Sequence, residues 1–133
     1  MLNPFPQLLT YGFFAPTLLR LVAASVILFI AWDVWRGARQ LAAISFPIVG
    51  KTKPWLLQLA SGITLLVGLA LAFGYDTQWA AILGLLIGLK LMYFRKKVGA
   101  VITLEASTYL LLIAICCSLL LSGAGALAFD LPL

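Results

Sequence analysis

The stretch "LKLMYFRKKVGAVITLEAS", residues 89–107, decides how this chain is read. An apolar run meets three consecutive basic residues, Arg95, Lys96 and Lys97, and a second apolar run then resumes and includes Glu105. Adjacent charges inside hydrocarbon are costly, whereas the same charges between two spans mark a membrane-flanking loop. The segment predicts the end of one transmembrane helix, a short basic connection and the start of another.

Composition extends this reading to the whole chain. The 133 residues are 64% hydrophobic and 10% charged, with a mean hydropathy of +1.13. Soluble domains are roughly 45–50% apolar and about 25% charged, so the class implied is a polytopic membrane protein. One all-α bundle uses the full length and leaves no room for a separate soluble catalytic domain. The net charge of +5 does not signal nucleic-acid binding, because the basic residues flank apolar runs and no aromatic–basic recognition motif accompanies them. The opening "MLNPFPQLLTYGFF" lacks a positive n-region and a small-residue cleavage site, and is expected to be retained along the membrane interface.

Four runs are long enough to cross, near residues 16–35, 54–73, 77–94 and 101–122, and they predict a four-transmembrane-helix bundle. Pro16 and Pro54 sit at first-turn positions, where a missing N–H costs nothing, and Gly74 and Gly123 follow helix ends as capping glycines do. Trp32, Trp35, Trp55, Phe73, Tyr75, Trp79, Tyr93 and Phe94 fall at the boundaries, as interfacial aromatic belts require. Loops one and three carry Arg36, Arg39, Lys51, Lys53 and residues 95–97, while the opposite side has Asp76 and Asp130. The positive-inside rule then puts both loops in the cytoplasm and both termini outside, in a multi-pass cell-membrane protein. Residues 37–53 are long for a bundle connection. "ARQLAAIS" within them reads either as a short interfacial helix, with Leu41 and Ile44 on one face, or as a loop anchored by its apolar residues.

Ionisable residues inside spans are functional candidates by default. Asp33, Arg36, Gln58, Lys90 and Glu105 all fall in the cytoplasmic half of their predicted helices, and Tyr109 follows Glu105 at helical spacing. They form a candidate intramembrane polar layer, in which Lys90 either pairs with Glu105 or snorkels to the headgroups. Ser61 and Gly62 follow Gln58 on a face expected to point inward. Arg20 is the odd charge at the outer end, where a link to Asp130 would tie the C-terminal segment to the bundle mouth. "GLLIG" at residues 84–88 is a GxxxG motif that fits internal helix packing better than a homo-oligomer seam. Cys116 and Cys117 are adjacent within an apolar run and are expected to be buried as small hydrophobes. With no second cysteine pair and no histidine in the chain, no metal site and no haem ligation is expected.

The C-terminal "GAGALAFD" lacks the third glycine, the preceding strand and the following helix of a dinucleotide loop. It resembles the closing motif of the DoxX family, a glycine-x-glycine followed by serine-x-aspartate: Gly123, Gly125 and Asp130 match, while Ala128 stands where serine is usual. "LLR" at residues 18–20 resembles the arginine that opens the family's first helix. "QLASGITLLVG", with Gln58, Gly62 and Gly68, resembles its second-helix pattern, and Glu105 stands where many members have a polar or acidic residue. The chain departs from the pattern at Ala24 and Ala31, near expected glycines, and at Gln58, often a glutamate, which cannot titrate.

This resemblance implies a four-helix membrane bundle acting as the membrane subunit or anchor of a redox complex, linked to quinones or oxidative stress. A soluble oxidoreductase subunit would be its partner, and Gln58, Tyr109 and Glu105 would hydrogen-bond a quinone headgroup. The chain has no self-contained catalytic motif. The alternatives are a small proton-coupled transporter or lipid-handling protein that uses Glu105, and a purely structural or assembly factor whose polar layer fixes helix register. Small multidrug exporters are similar in size, but their essential glutamate lies in the first helix, where this chain offers only Asp33.

Overall fold

In the computed structural model, residues 12, 14–43, 45–46, 50–51, 53–99 and 101–122 are described. They form α1 (Ala15–Ala43), β1 (Ser45–Phe46), β2 (Gly50–Lys51), α2 (Pro54–Phe73), α3 (Thr77–Val98) and α4 (Ala106–Ser122). The protein is an all-α membrane bundle. Helices α1, α2 and α3 are each long and apolar enough to cross a bilayer, and α4 is an apolar helix of 17 residues. Gly123, Gly125, Ala128 and Asp130 lie outside the described residues, as does the N-terminal segment read as interfacial.

Helix ends follow local chemistry. Pro54 opens α2, and Gly74 closes it at φ 70°, with the Gly74 and Tyr75 amides donating to the carbonyls of Leu71 and Ala70. That left-handed cap suits a residue without Cβ. Asp76 also has a positive φ of 45°, tolerable for an aspartate in a tight turn. Three boundaries differ from those read in the sequence. Helix α1 continues to Ala43, so residues 37–43 are neither a separate interfacial helix nor a loop: "GARQLAA" offers no proline and mostly good helix formers. β1 and β2 then pair antiparallel. Helix α3 carries its basic triplet into its last turn, where cations favour the negative end of the helix dipole. Helix α4 begins at Ala106 rather than near residue 101, because Val101, Ile102 and Thr103 are a β-branched run that resists helix.

The helices form a ring, with α1 beside α2 and α4, and α3 beside α2 and α4. Specific contacts fix the directions. Ser61 Oγ on α2 donates to the Ala31 carbonyl on α1 at 2.6 Å, while Gly68 faces Ile27 and Leu28. Residue numbers therefore rise on one helix as they fall on the other. Gly84 faces Cys116, and Gly88 faces Leu112 and Ile113, so α3 and α4 are likewise antiparallel and α1 runs parallel to α3. A Cβ on Gly84 would lie 3.0 Å from Ile27 Cδ1 and 3.2 Å from Cys116 Sγ. The GxxxG pair is thus spent on packing within the chain.

Large apolar side chains face outward, including Leu66, Trp79 and Leu121, the last 91% exposed. Patches of this kind are intolerable in water and ordinary against lipid. Trp32, Trp35, Trp55 and Tyr93 are exposed near the basic end, and Phe73, Tyr75 and Trp79 near the Asp76 end. They supply the two aromatic belts. Cys116 is buried, but Cys117 is exposed. Their adjacency places them about 100° apart on the helix, so only one can face the core.

Candidate functional site

The predicted polar layer is only partly assembled. Asp33 is half-buried, while Arg36 is exposed and stacks over the Trp32 ring at 5.0 Å from its centroid. Tyr109 is buried on α4. Gln58 is exposed. Ser61, one turn further on, takes the inward position through its bond to Ala31.

Glu105 departs most from expectation. It is exposed and precedes α4 rather than lying within it, with the Thr108 amide donating to its backbone carbonyl at 3.1 Å. Ser107 Oγ contributes a long hydrogen bond to Glu105 Oε2 at 3.5 Å. A carboxylate here favours the positive end of α4 and remains within reach of water. It shares a shallow depression with Arg95, and no ion pair joins it to Lys90. The displacement follows from the late start of α4.

Lys90, itself exposed, borders an apolar cavity in the basic half. A cavity of about 110 Å³ lies between α2 and α3, walled by Leu57, Ala60 and Thr64 on one side and Ile87, Lys90, Leu91 and Phe94 on the other. Ile30 and Val34 of α1 close it from behind. The geometry follows from connectivity. The three-residue turn at 74–76 holds α2 and α3 together at the Asp76 end, and the cavity opens as they approach the basic end. Their facing residues there include no glycine that would draw the backbones together. Among the described residues the lining is apolar except for Lys90 and Thr64, whose hydroxyl donates to the Ala60 carbonyl at 2.9 Å.

The groove can therefore hold the head or a short chain segment of an apolar molecule and present one ammonium and one hydroxyl oxygen to it. Of the predicted quinone contacts, none of Gln58, Tyr109 and Glu105 lines the groove, whereas Lys90 does. Thr64 was not singled out in the sequence, because a threonine bonded to its own helix carries no distinguishing pattern. Among the described residues, no group of three or more His, Cys, Asp or Glu could hold a metal ion.

At the other end, Thr17, Arg20 and Thr77 are all buried. Arg20 thus lies inside the bundle as an engaged charge, while its predicted partner Asp130 falls outside the described residues. No protein-family model matches the chain, and no curated protein and no solved structure is significantly similar to it.

Proposed function

We propose that this chain is the membrane subunit or anchor of a redox complex, and that the groove between α2 and α3 admits a lipid-soluble ligand, a quinone on the redox reading. The observation that carries this proposal is the apolar cavity in which, among the described residues, Lys90 and Thr64 are the polar side chains of the lining. Its size is informative. A cavity of about 150 Å³ takes up benzene, and pockets for drug-sized ligands span roughly 300–1,000 Å³. A space of about 110 Å³ suits part of one ring or a short length of chain, leaving the remainder of the ligand in the bilayer.

The Lys90 ammonium would donate to a carbonyl oxygen, and the Thr64 oxygen retains acceptor capacity while its hydrogen serves Ala60. A bound quinone supplies the electron-accepting chemistry, and this chain's residues bind and orient it. A soluble oxidoreductase is the electron-carrying partner on this reading. On the positive-inside rule that partner meets Arg36, Arg39, Lys53 and residues 95–97 at the cytoplasmic face. Proton-coupled transport through Glu105 loses its support, because that residue is exposed before the start of α4.

The test is purification in native nanodiscs, with mass spectrometry of the accompanying proteins and lipids. The expected result is a co-purifying oxidoreductase and a quinone whose recovery falls in Lys90→Met and Ala60→Phe. Recovery of bulk phospholipid alone, equal in wild type and both variants, overturns the proposal.

A further inference from the structure

The seam between α2 and α3 has a second opening at the Asp76 end, away from the groove that Lys90 borders. It measures about 300 Å³. Leu66 and Val67 of α2 and Leu83 of α3 contribute to its walls, and Tyr75, Asp76 and Trp79 stand at its mouth. The lining runs from residue 63 to 70 on α2 and from 76 to 83 on α3, about 10 Å along each helix axis. Among the described residues, the lining inward of the mouth is wholly apolar.

Local sequence sets the mouth. Gly74 ends α2 in its left-handed cap, and Tyr75 and Asp76 complete the turn into α3. Asp76 and Trp79 are three residues apart and share one face at the start of α3. The Asp76 backbone, at φ 45° and ψ 52°, departs from the extended conformation of a capping aspartate, and its side chain makes no cap bond. Its carboxylate is therefore not spent on the amides of α3, and the residue is exposed. Tyr75 and Trp79 are exposed as well. Helices α1 and α3 start at this end while α2 and α4 finish here, so their dipoles largely cancel and the side chains set the sign. Arg20, the cation of this end among the described residues, is buried on α1 and does not line the groove. The mouth thus combines a carboxylate with two aromatic rings, and both kinds of group attract cations. An aromatic belt accounts for the rings, but not for the carboxylate placed with them or for the apolar groove leading inward.

We propose that this groove binds a zwitterionic phospholipid, with its headgroup ammonium at Tyr75, Asp76 and Trp79 and one acyl chain between α2 and α3. The ammonium pairs with the carboxylate and lies against the rings, contacts that gain strength where water is partly excluded. The acyl chain follows the apolar walls inward. A space of about 300 Å³ suits the ammonium and the upper part of one chain, with the remainder in the bilayer. The site does not depend on the redox reading of the other groove.

The test is thermal unfolding of the full chain at neutral pH in delipidated neutral detergent. The chain is titrated with dihexanoyl-phosphatidylethanolamine or with dihexanoyl-phosphatidylglycerol, which share phosphate and chains but differ in the ammonium. A lipid that binds the folded state alone raises the melting temperature saturably. The expected result is a larger saturable rise with the ethanolamine lipid, a preference lost in Asp76→Asn and diminished in Trp79→Leu. Both variants should fold, because both side chains are exposed and asparagine also adopts the left-handed conformation. Equal shifts with the two lipids, or a preference unchanged in either variant, overturn the proposal. So does a preference abolished by Ala60→Phe yet kept in Asp76→Asn, which would place the lipid in the groove of the basic end.

Discussion

Helix α2 has two neighbours and meets them differently. Against α1 it presents Ser61 and Gly68, close enough for a 2.6 Å hydrogen bond and for a Cβ at Gly68 to fall 2.9 Å from Leu28 Cδ2. Against α3, in the basic half, it presents Leu57, Ala60 and Thr64 across an open cavity. Both seams are built from the same apolar helix. In a bilayer no hydrophobic effect separates them, because lipid tails are as apolar as leucine. Backbone approach separates them: a glycine and a buried serine close one seam, and larger facing residues leave the other open for a ligand.

The contrast can be broken most sharply at the centre. Gly84→Leu pushes a side chain into Ile27 and Cys116 and should destabilise the bundle by about 1–3 kcal/mol, the usual cost of overpacking, measured by reversible unfolding in mixed micelles. A neutral result would mean that the four helices do not meet at that layer. Ser61→Ala removes the hydrogen bond of the close seam and should cost about 0.6 kcal/mol, at most near 1.7, by comparison with other membrane helices. Thr64→Val on the open seam, measured by the same unfolding, should cost less, because that hydroxyl serves its own helix. Ala60→Phe fills the groove and should change stability by less than about 1 kcal/mol while lowering recovery of the lipid-soluble ligand. Equal recovery would detach the groove from ligand binding. The smallest effect is expected for Glu105→Gln, within about 0.5 kcal/mol as for other exposed substitutions, and a loss well beyond that would restore the carboxylate to the interior.

Helix limits and inward-facing residues also differ in how legible they were. Pro54 and Gly74 announced the limits of α2, and the aromatic positions announced the belts, because these signals act within one turn of chain. The polar layer was less legible. Gln58 and Ser61 lie three residues apart on one helix, and periodicity cannot say which of two near-neighbouring directions faces the core when both residues are polar. Glu105 was misplaced by a single boundary: an unbroken apolar run from residue 101 reads as a span, and the β-branched residues at its start were outweighed by their hydropathy. Thr17 and Thr77 carried no signal, since threonine is common in membrane helices and only burial distinguishes them.

The sequence by itself determined the membrane class and the number of helices. These follow from composition and run length, which are properties of the chain read in order. Only the tertiary structure decided that Lys90 borders a groove, that Glu105 lies outside the bundle, and that Arg20 is buried. Each depends on which face of one helix meets which face of another. That relation is fixed by contacts between residues distant in sequence, and no local pattern encodes it.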